Sequence, residues 1–340
     1  MKLSICIPTY NRPNNLPDCL NSIYLSGKKS KLKFEVCISD NASNYNVNKI
    51  IKKYKKKISL KFNKNKKNIG YIRNLIKTIS IARGEFIWSI GDDDLLTPNA
   101  LNEIEKLFEK NKDVDFFLIN SYHLNNNFLN KYKKPFNTKF LPKKMEKLSK
   151  KKNSTKLNFW DLIDYKISFD FLIGNFLNVF KREMWLNNLY CLNKKNLLDT
   201  RPWSNFDNTC GPLKVYANAF KNSKAYFFSK ALTVNTYNVR EWGLMYPYIE
   251  IIRLPEALDY YRSRGLNFKS YLINKNYALR NFINYFIKII LTGEKGGLRY
   301  INFYKHFFKN LIYPNVYLSL FYFFYRAIKK KLGVKIKNYD

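Results

Sequence analysis

The run Glu85-Phe86-Ile87-Trp88-Ser89-Ile90-Gly91-Asp92-Asp93-Asp94 constrains this chain more than any other stretch. A short apolar segment ends at a glycine and then meets three carboxylates in a row. Pro98 follows at the opening of a helix predicted over 99–108. A buried strand that ends in this way delivers acids to the carboxyl edge of a sheet. Adjacent carboxylates repel one another, and a cation is the ordinary means of holding them together. An oxygen-rich set suits Mg²⁺ or Mn²⁺, with a substrate phosphate completing the shell. The competing reading is a loop whose Asp caps the next helix. Capping employs one carboxylate and leaves two without a purpose.

Around this stretch strands and helices alternate. Strands are predicted over 3–7, 34–39, 58–62, 86–90 and 114–119, with helices over 14–24, 47–54, 71–82 and 99–108 between them. Alternation of this kind implies an α/β domain with a mainly parallel sheet, helices on both faces and right-handed crossovers. Such sheets bind ligands at the carboxyl ends of their strands. Here those ends carry Thr9, Asp40 and the Asp92–Asp94 cluster, so three polar loops are expected to converge on one cleft. Residues 123–155 read as a surface insertion or mobile loop, with a solvated basic run over 143–152. A helix over 158–165, a strand returning to the sheet over 174–180 and a helix over 181–189 follow. The polar stretch 199–207 then leads to a helix near 212–220 and to edge strands over 225–228 and 232–237. After Trp242 the chain becomes a series of aromatic-rich helices, over 246–262, 271–291, 297–311 and 317–331. The expected division is therefore a catalytic domain over 1–240 and a helical region over 241–340.

Charge and cysteine usage narrow the partners. Sixty-one Lys and Arg against 25 Asp and Glu give a net charge of +36 over 340 residues. An anionic partner follows: nucleic acid, an anionic membrane surface or a phosphorylated substrate. The abundance of Lys, Asn, Ile, Tyr and Phe also suits an AT-rich genome, which weakens charge as a specific signal. The five cysteines are odd in number and form no CxxC pair, as expected of reduced cytoplasmic thiols and not of a disulfide framework or zinc site. Two histidines leave almost no material for histidine metal sites or Ser-His-Asp triads. Leu3 to Ile7 is too short for a signal-peptide core, and no apolar run reaches bilayer length. Between residues 313 and 337, Leu318, Leu320, Phe321, Phe323, Phe324 and Tyr325 stand beside Arg326, Lys329, Lys330, Lys331, Lys335 and Lys337. That composition suits an interfacial helix on an anionic bilayer. It equally suits a helix packed on the core with a solvated basic end.

Four elements occur in order at predicted strand ends: Ser4-Ile5-Cys6-Ile7-Pro8-Thr9-Tyr10-Asn11-Arg12, Ile38-Ser39-Asp40-Asn41-Ala42-Ser43, Asn68-Ile69-Gly70 and Gly91-Asp92-Asp93-Asp94. Together they resemble the family 2 glycosyltransferases, over about the first 120 residues. The resemblance implies a GT-A fold, a nucleotide-activated sugar as donor and inversion at the anomeric carbon by one in-line displacement. It places Pro8, Thr9 and Asp40 against the nucleotide, with Asp40 on the base. Asn68, Gly70, Arg73 and Asn74 then line the same site. An acid at the place of Asp40 can hydrogen-bond a base imide or a ribose hydroxyl, or simply close an Asx-turn. Arg12 is a weaker candidate for phosphate, and helix N-terminal amides after Gly70 favour anions.

In the commonest family form an acid precedes a spacer and two further acids; Gly91 stands at that first place here. Counting back from Pro98 makes Asp93 and Asp94 the pair for ribose and metal, with Asp92 close behind. The general base is expected in the second half of the domain (156–240), with Asp207 first, Asp199 second and Asp170 third. The competing role for Asp207 is a helix N-cap. Residues 1–120 then form the nucleotide-sugar half and 156–240 the acceptor half. The expected donor is a UDP-sugar, and the expected acceptor a glycan or lipid-linked sugar of a lipopolysaccharide, capsule or other surface polysaccharide. The work would be done at the inner face of the cytoplasmic membrane. A nucleotidyltransferase is the rival enzyme, but the turn Pro8 to Pro13 lacks its glycine-rich basic loop. The missing GxGxxG turn also argues against a dinucleotide dehydrogenase. A nucleic-acid-binding protein rests on charge alone, without a recognised motif, so no nucleic acid is expected.

Overall fold

The computed structural model describes residues 1–237 and 243–331. The chain divides into two compact units, Met1–Arg240 and Glu241–Asp340. The first is built on a ten-stranded sheet. Its strands are β1 (Leu3–Thr9), β2 (Phe34–Asp40), β3 (Leu60–Lys64), β4 (Phe86–Ser89), β5 (Leu95–Leu96), β6 (Phe116–Asn125), β7 (Glu146–Lys147), β8 (Thr155–Asn158), β9 (Asn178–Lys181) and β10 (Lys224–Tyr237). The main path runs β3-β2-β1-β4-β9-β6-β10-β5. One parallel block, β3-β2-β1-β4, is joined through antiparallel β9 to a second parallel pair, β6 and β10. Helices α1 (Leu16–Gly27), α2 (Val47–Lys55) and α3 (Tyr71–Ser80) are the crossovers of the first block, and α4 (Ala100–Lys110) leads from β5 to β6.

The sequence explains why these segments pair as they do. All seven residues of β1 are buried, as a central parallel strand covered on both faces requires. Its register sets Cys6 beside Cys37 and Thr9 beside Asp40. Each helix turns an apolar stripe inward: Leu16, Cys19, Leu20 and Ile23 on α1, and Ala100, Leu101, Ile104, Leu107 and Phe108 on α4. Trp88 is wholly buried beneath them, and its indole N–H donates to the Phe176 carbonyl at 2.9 Å.

Several segments depart from the sequence reading. Residues 123–155 are packed, not a loose insertion. β6 runs on to Asn125, and Leu124, Leu129 and Phe136 form a small core with Leu95 and Val234. Asp18 anchors this segment by accepting from the Phe136 amide at 2.6 Å and pairing with Lys134. The lysines at 143, 144, 150 and 152 are exposed, as expected of a solvated run. The expected edge strands over 225–228 and 232–237 are one strand, β10, bulged between Phe228 and Thr233 and paired on both sides. Helix α5 (Asp207–Ala219) starts five residues before the place expected from Pro212, which lies inside it next to a kink at Cys210.

The second unit is helical. Short segments Tyr246–Tyr248 and Ile249–Arg253 lead into α6 (Leu254–Arg264), followed by α7 (Phe268–Ala278), α8 (Phe282–Thr292) and α9 (Pro314–Lys331). The helix expected over 271–291 breaks between Ala278 and Phe282, and the one over 297–311 is three short turns, Leu298–Tyr300, Phe303–His306 and Phe308–Asn310. No described helix is long and apolar enough to cross a membrane. Lys335 and Lys337 lie outside the described residues.

Candidate functional site

The carboxyl ends of β1, β2 and β4 meet on one edge of the sheet. Thr9 and Asp40 are register partners at the ends of β1 and β2. The Thr9 hydroxyl donates to Asp92 Oδ2 at 2.6 Å, linking the third strand end to the same row. Two loops are stitched beside it: Asn11 N donates to Ser43 Oγ, Asn44 N to Asn11 Oδ1 and Asn41 N to the Thr9 carbonyl. Asn11 and Ala42 take positive φ values of 53° and 65° to make those turns. Pro8 is buried as the penultimate residue of β1.

Asp40 is fully buried. Its Oδ1 accepts from the Ser43 amide at 2.9 Å, which is the Asx-turn. Its Oδ2 has no hydrogen-bond partner. A buried carboxylate oxygen without a donor is costly, and its retention asks for a ligand that supplies one. Asp40 borders a cavity of about 390 Å³ lined also by Ser43, Tyr45, Asn46, Phe62 and Lys64.

The three consecutive acids do not act as one cluster. Asp92 is buried against Thr9. Burial, and then the charge of Asp93, push its carboxyl up to about 7, while the Thr9 hydroxyl and Arg12 pull the other way. Asp94 is buried too, and its Oδ2 accepts from the Gly91 amide at 2.9 Å and its Oδ1 from Asn235 at 2.8 Å. Asp93 is half-buried; its backbone carbonyl accepts from Thr236, and its carboxylate has no protein donor among the described residues. Gly91 makes room for this arrangement. A Cβ there would stand 2.6 Å from Asp93 Oδ1 and 2.9 Å from Asp94 Oδ2.

No three His, Cys, Asp or Glu side chains gather into a metal cage among the described residues. Of the three acids expected to hold an ion, Asp92 and Asp94 are turned to Thr9, Gly91 and Asn235. The donor set that remains fits a hard divalent cation of the other kind, held by one carboxylate and completed by substrate phosphate and water. Of the three acids, Asp93 has the carboxylate without a protein donor among the described residues.

The raised carboxyl of Asp92 has a consequence for metal-free protein. Its folded value lies above the ordinary one, so its contribution to stability is full below pH 3.8 and is lost as pH rises through about 7. Unfolding of the metal-free chain should become easier between those limits. Asp92→Asn should flatten this part of the melting-temperature profile; an unchanged profile would remove Asp92 as its source.

Helix α3 packs against β1 and β2. Gly70 precedes it with φ +83°. Asn68 and Asn74, expected at the nucleotide, serve the scaffold. Asn68 Oδ1 accepts from Asn41 and Gly70, and Asn74 donates to the Ser39 carbonyl and accepts from Asn65. Arg73 is half-buried in the first turn of α3. Desolvation pushes the phenol of Tyr71 up to about 12, against the hydrogen bond with Asn175 and with smaller contributions from the charges of Asp94, Asp93 and Asp92.

The three acids expected as general base are placed differently from one another. Asp207 opens α5, which packs on α3: Gly211 faces Ile72 at a Cβ distance of 3.2 Å. It is buried and accepts from Asn193 N at 3.1 Å, Lys214 Nζ at 2.7 Å and Asn196 Nδ2 at 3.0 Å. Asp199 is clamped by Arg201 through Nε at 2.9 Å and a second guanidinium nitrogen at 2.7 Å, which holds its carboxyl well below the usual range. Thr200 beside it lies 3.6 Å from a Cβ placed on Gly70. Asp170 is buried within its own loop, accepting from Ser168 Oγ and the Leu172 and Gly174 amides, and burial raises it.

Sequence reasoning missed Asn235, Thr236 and Asn41. The first two come from β10, more than 140 residues after the acids they hold. The recurrence of Asn at 41, 63, 65, 68 and 74 was the available hint of a side-chain lattice.

Residues 4–168 match the family model described as Glycosyl transferase family 2. The abequosyltransferase RfbV of Salmonella typhimurium is 34% identical over 116 residues, which are 34% of this chain and 34% of that protein. The poly(ribitol-phosphate) beta-N-acetylglucosaminyltransferase TarS of Staphylococcus aureus is 31% identical over 106 residues, 30% of this chain and 18% of that protein. The match thus spans 34% and 18% of these relatives' length. Among solved structures, S. aureus TarS 1–349 in complex with UDP aligns with a TM-score of 0.55 at 18% identity, covering 84% of this chain and 72% of that one. The mannosyltransferase PcManGT of Pyrobaculum calidifontis, in complex with GDP-Man and Mn²⁺, aligns with a TM-score of 0.51 at 15% identity, covering 98% and 88%. The fold is shared with both.

Proposed function

The chain belongs, through residues 4–168, to glycosyl transferase family 2, and on that premise we propose that it moves a sugar from a nucleotide-sugar to a glycan or lipid-linked acceptor. The observation that carries the reading is the unpartnered Oδ2 of Asp40, buried at the edge of a polar cavity in the same row as Thr9 and Asp92. That oxygen suits the N–H of a uracil or guanine base. UDP is the first choice, in line with the UDP and UDP-GlcNAc complexes of TarS. Thr9, Pro8 and Gly70 line the path from the base, and Arg12, Arg73 and the amides of α3 meet the diphosphate.

Asp93 would hold Mn²⁺ or Mg²⁺ together with the diphosphate oxygens, where the ion's charge stabilises the departing nucleoside diphosphate. The acceptor hydroxyl attacks the anomeric carbon as the bond from that carbon to the phosphate oxygen breaks. Inversion follows from a single displacement. We assign the proton of the attacking hydroxyl to Asp207. A carboxylate offers about four acceptor positions, and three are filled here, so its orientation is fixed and one position is left. Asp199 is a poorer acceptor because Arg201 stabilises its charged form. Asp207→Asn should lower kcat by about 10²-fold or more with donor affinity unchanged. A fall in melting temperature with kcat retained would instead assign Asp207 to capping and to its ion pair with Lys214. Residues 1–120 are the donor half and 156–240 the acceptor half in this reading. The expected setting is surface-polysaccharide synthesis at the cytoplasmic face of a membrane.

A thermal-shift screen of UDP-, GDP- and dTDP-sugars, each with and without Mn²⁺, tests the proposal. Ligand present at about 100 times its dissociation constant stabilises by about 2.7 kcal/mol, a shift of several degrees. The expected result is a cation-dependent shift for one nucleotide class. No shift with any of them would overturn it.

A further inference from the structure

Helix α9 carries apolar residues on every side. Val316 and Ser319 are buried against the neighbouring helices α7 and α8, and the Ser319 hydroxyl accepts from the Ile283 amide at 3.1 Å. The side away from that contact holds Tyr317, Leu318, Phe321, Tyr322, Phe324 and Ile328, with Phe321 71% and Ile328 59% exposed. A helix that is apolar all round is normally covered all round. The pattern extends to the turns before it, where Phe303, Tyr304, Phe308 and Ile312 are also exposed. Isolated apolar residues on a surface need no explanation, whereas a contiguous set of aromatics does.

Charge decides what covers this face. From residue 241 to 340 the sequence carries 17 Lys and Arg against 6 Asp and Glu, a net charge of +11. Lys329, Lys330 and Lys331 follow the aromatic stretch directly. A second copy of the chain would bring +11 against +11. An anionic lipid surface brings the opposite sign, and a helix of 18 residues with mixed Tyr and Phe is suited to lie in the headgroup layer. No described helix is long and apolar enough to cross a membrane. We propose that the open face of α9 and the adjoining turns dock the chain onto an anionic membrane surface. This goes beyond the transferase reading and stands without it, because it uses none of the residues of the cleft.

Flotation of the full chain with vesicles tests it, using phosphatidylcholine alone and phosphatidylcholine with a quarter phosphatidylglycerol. The natural chain should float with the anionic vesicles and lose that binding in high salt. Phe321→Asp with Phe324→Asp should weaken binding about 50-fold or more, since two buried aromatic rings are lost. Replacing Lys329, Lys330 and Lys331 by Gln removes three positive charges and should weaken it about 100-fold. The nucleotide-sugar thermal shift, measured on the same variants, reports whether they are folded and tests the transferase reading separately. The proposal is overturned if the natural chain floats with neither vesicle, if either variant floats as well as the natural chain, or if sedimentation shows a dimer that the Phe substitutions dissociate.

Discussion

An Asp93→Asn chain should transfer sugar with kcat/KM lowered by about 10³-fold, the loss typical of removing one group that stabilises developing charge. The reason is how the three acids divide their oxygens. Asp92 accepts from Thr9, and Asp94 accepts from Gly91 and Asn235. Asp93 alone presents a carboxylate that no protein donor occupies among the described residues. An amide in its place coordinates a divalent ion weakly, so the Mn²⁺-dependent part of the thermal shift should vanish along with the rate. Loss of folding is not the cause expected. Asp93 is one of the charges that push Asp92 up, and removing it eases the crowding in metal-free protein. The variant should melt no lower than the natural chain near neutral pH. Asp94→Asn should behave in the opposite way, with a lower melting temperature, because it disturbs the contacts to the Gly91 amide and Asn235. An Asp93→Asn chain with full activity and an intact Mn²⁺ response would remove the ion from this site.

Asp40→Asn should weaken nucleotide-sugar binding by about 10- to 100-fold, equal to the 1.5–3 kcal/mol of a hydrogen bond to a charged group. Asparagine keeps the oxygen that accepts from the Ser43 amide and replaces the unpartnered one with a second donor. The base N–H then meets another N–H. Because the base lies away from the bond that breaks, KM should rise while kcat at saturating donor changes little. Stability should change little, since one buried polar group without a partner replaces another. An unchanged KM would place the nucleotide elsewhere.

How much of this was legible in the sequence depended on the range of the interactions. The first block of the sheet could be read from local patterns: Leu3–Ile7, Phe34–Ser39 and Phe86–Ile90 are short apolar runs ending at turn residues, and each lies on an observed strand to within two residues. The convergence of Thr9, Asp40 and the acids followed from parallel connectivity alone. What three adjacent aspartates do could not be read, because they lie on a turn in which the Asp94 amide donates to the Gly91 carbonyl, and their partners lie on β1 and β10. Ser229 and Lys230 looked like a break between two edge strands; a bulge absorbs them and β10 continues. Pro212 looked like a helix start, yet it sits inside α5 beside the kink at Cys210, so Asp207 became the first helical residue instead of a loop acid. The segment 123–155 hid its core because Leu124, Leu129 and Phe136 follow neither a helical nor a strand period.

The most direct measurement is anomalous diffraction from crystals of the chain grown with UDP and Mn²⁺. Placement of the nucleotide and ion in one cleft predicts a single manganese peak at the carboxylate of Asp93, next to the diphosphate, with the uracil N–H on Asp40 Oδ2. A diphosphate bound away from the ends of β1, β2 and β4, or a manganese peak on other residues, would contradict it.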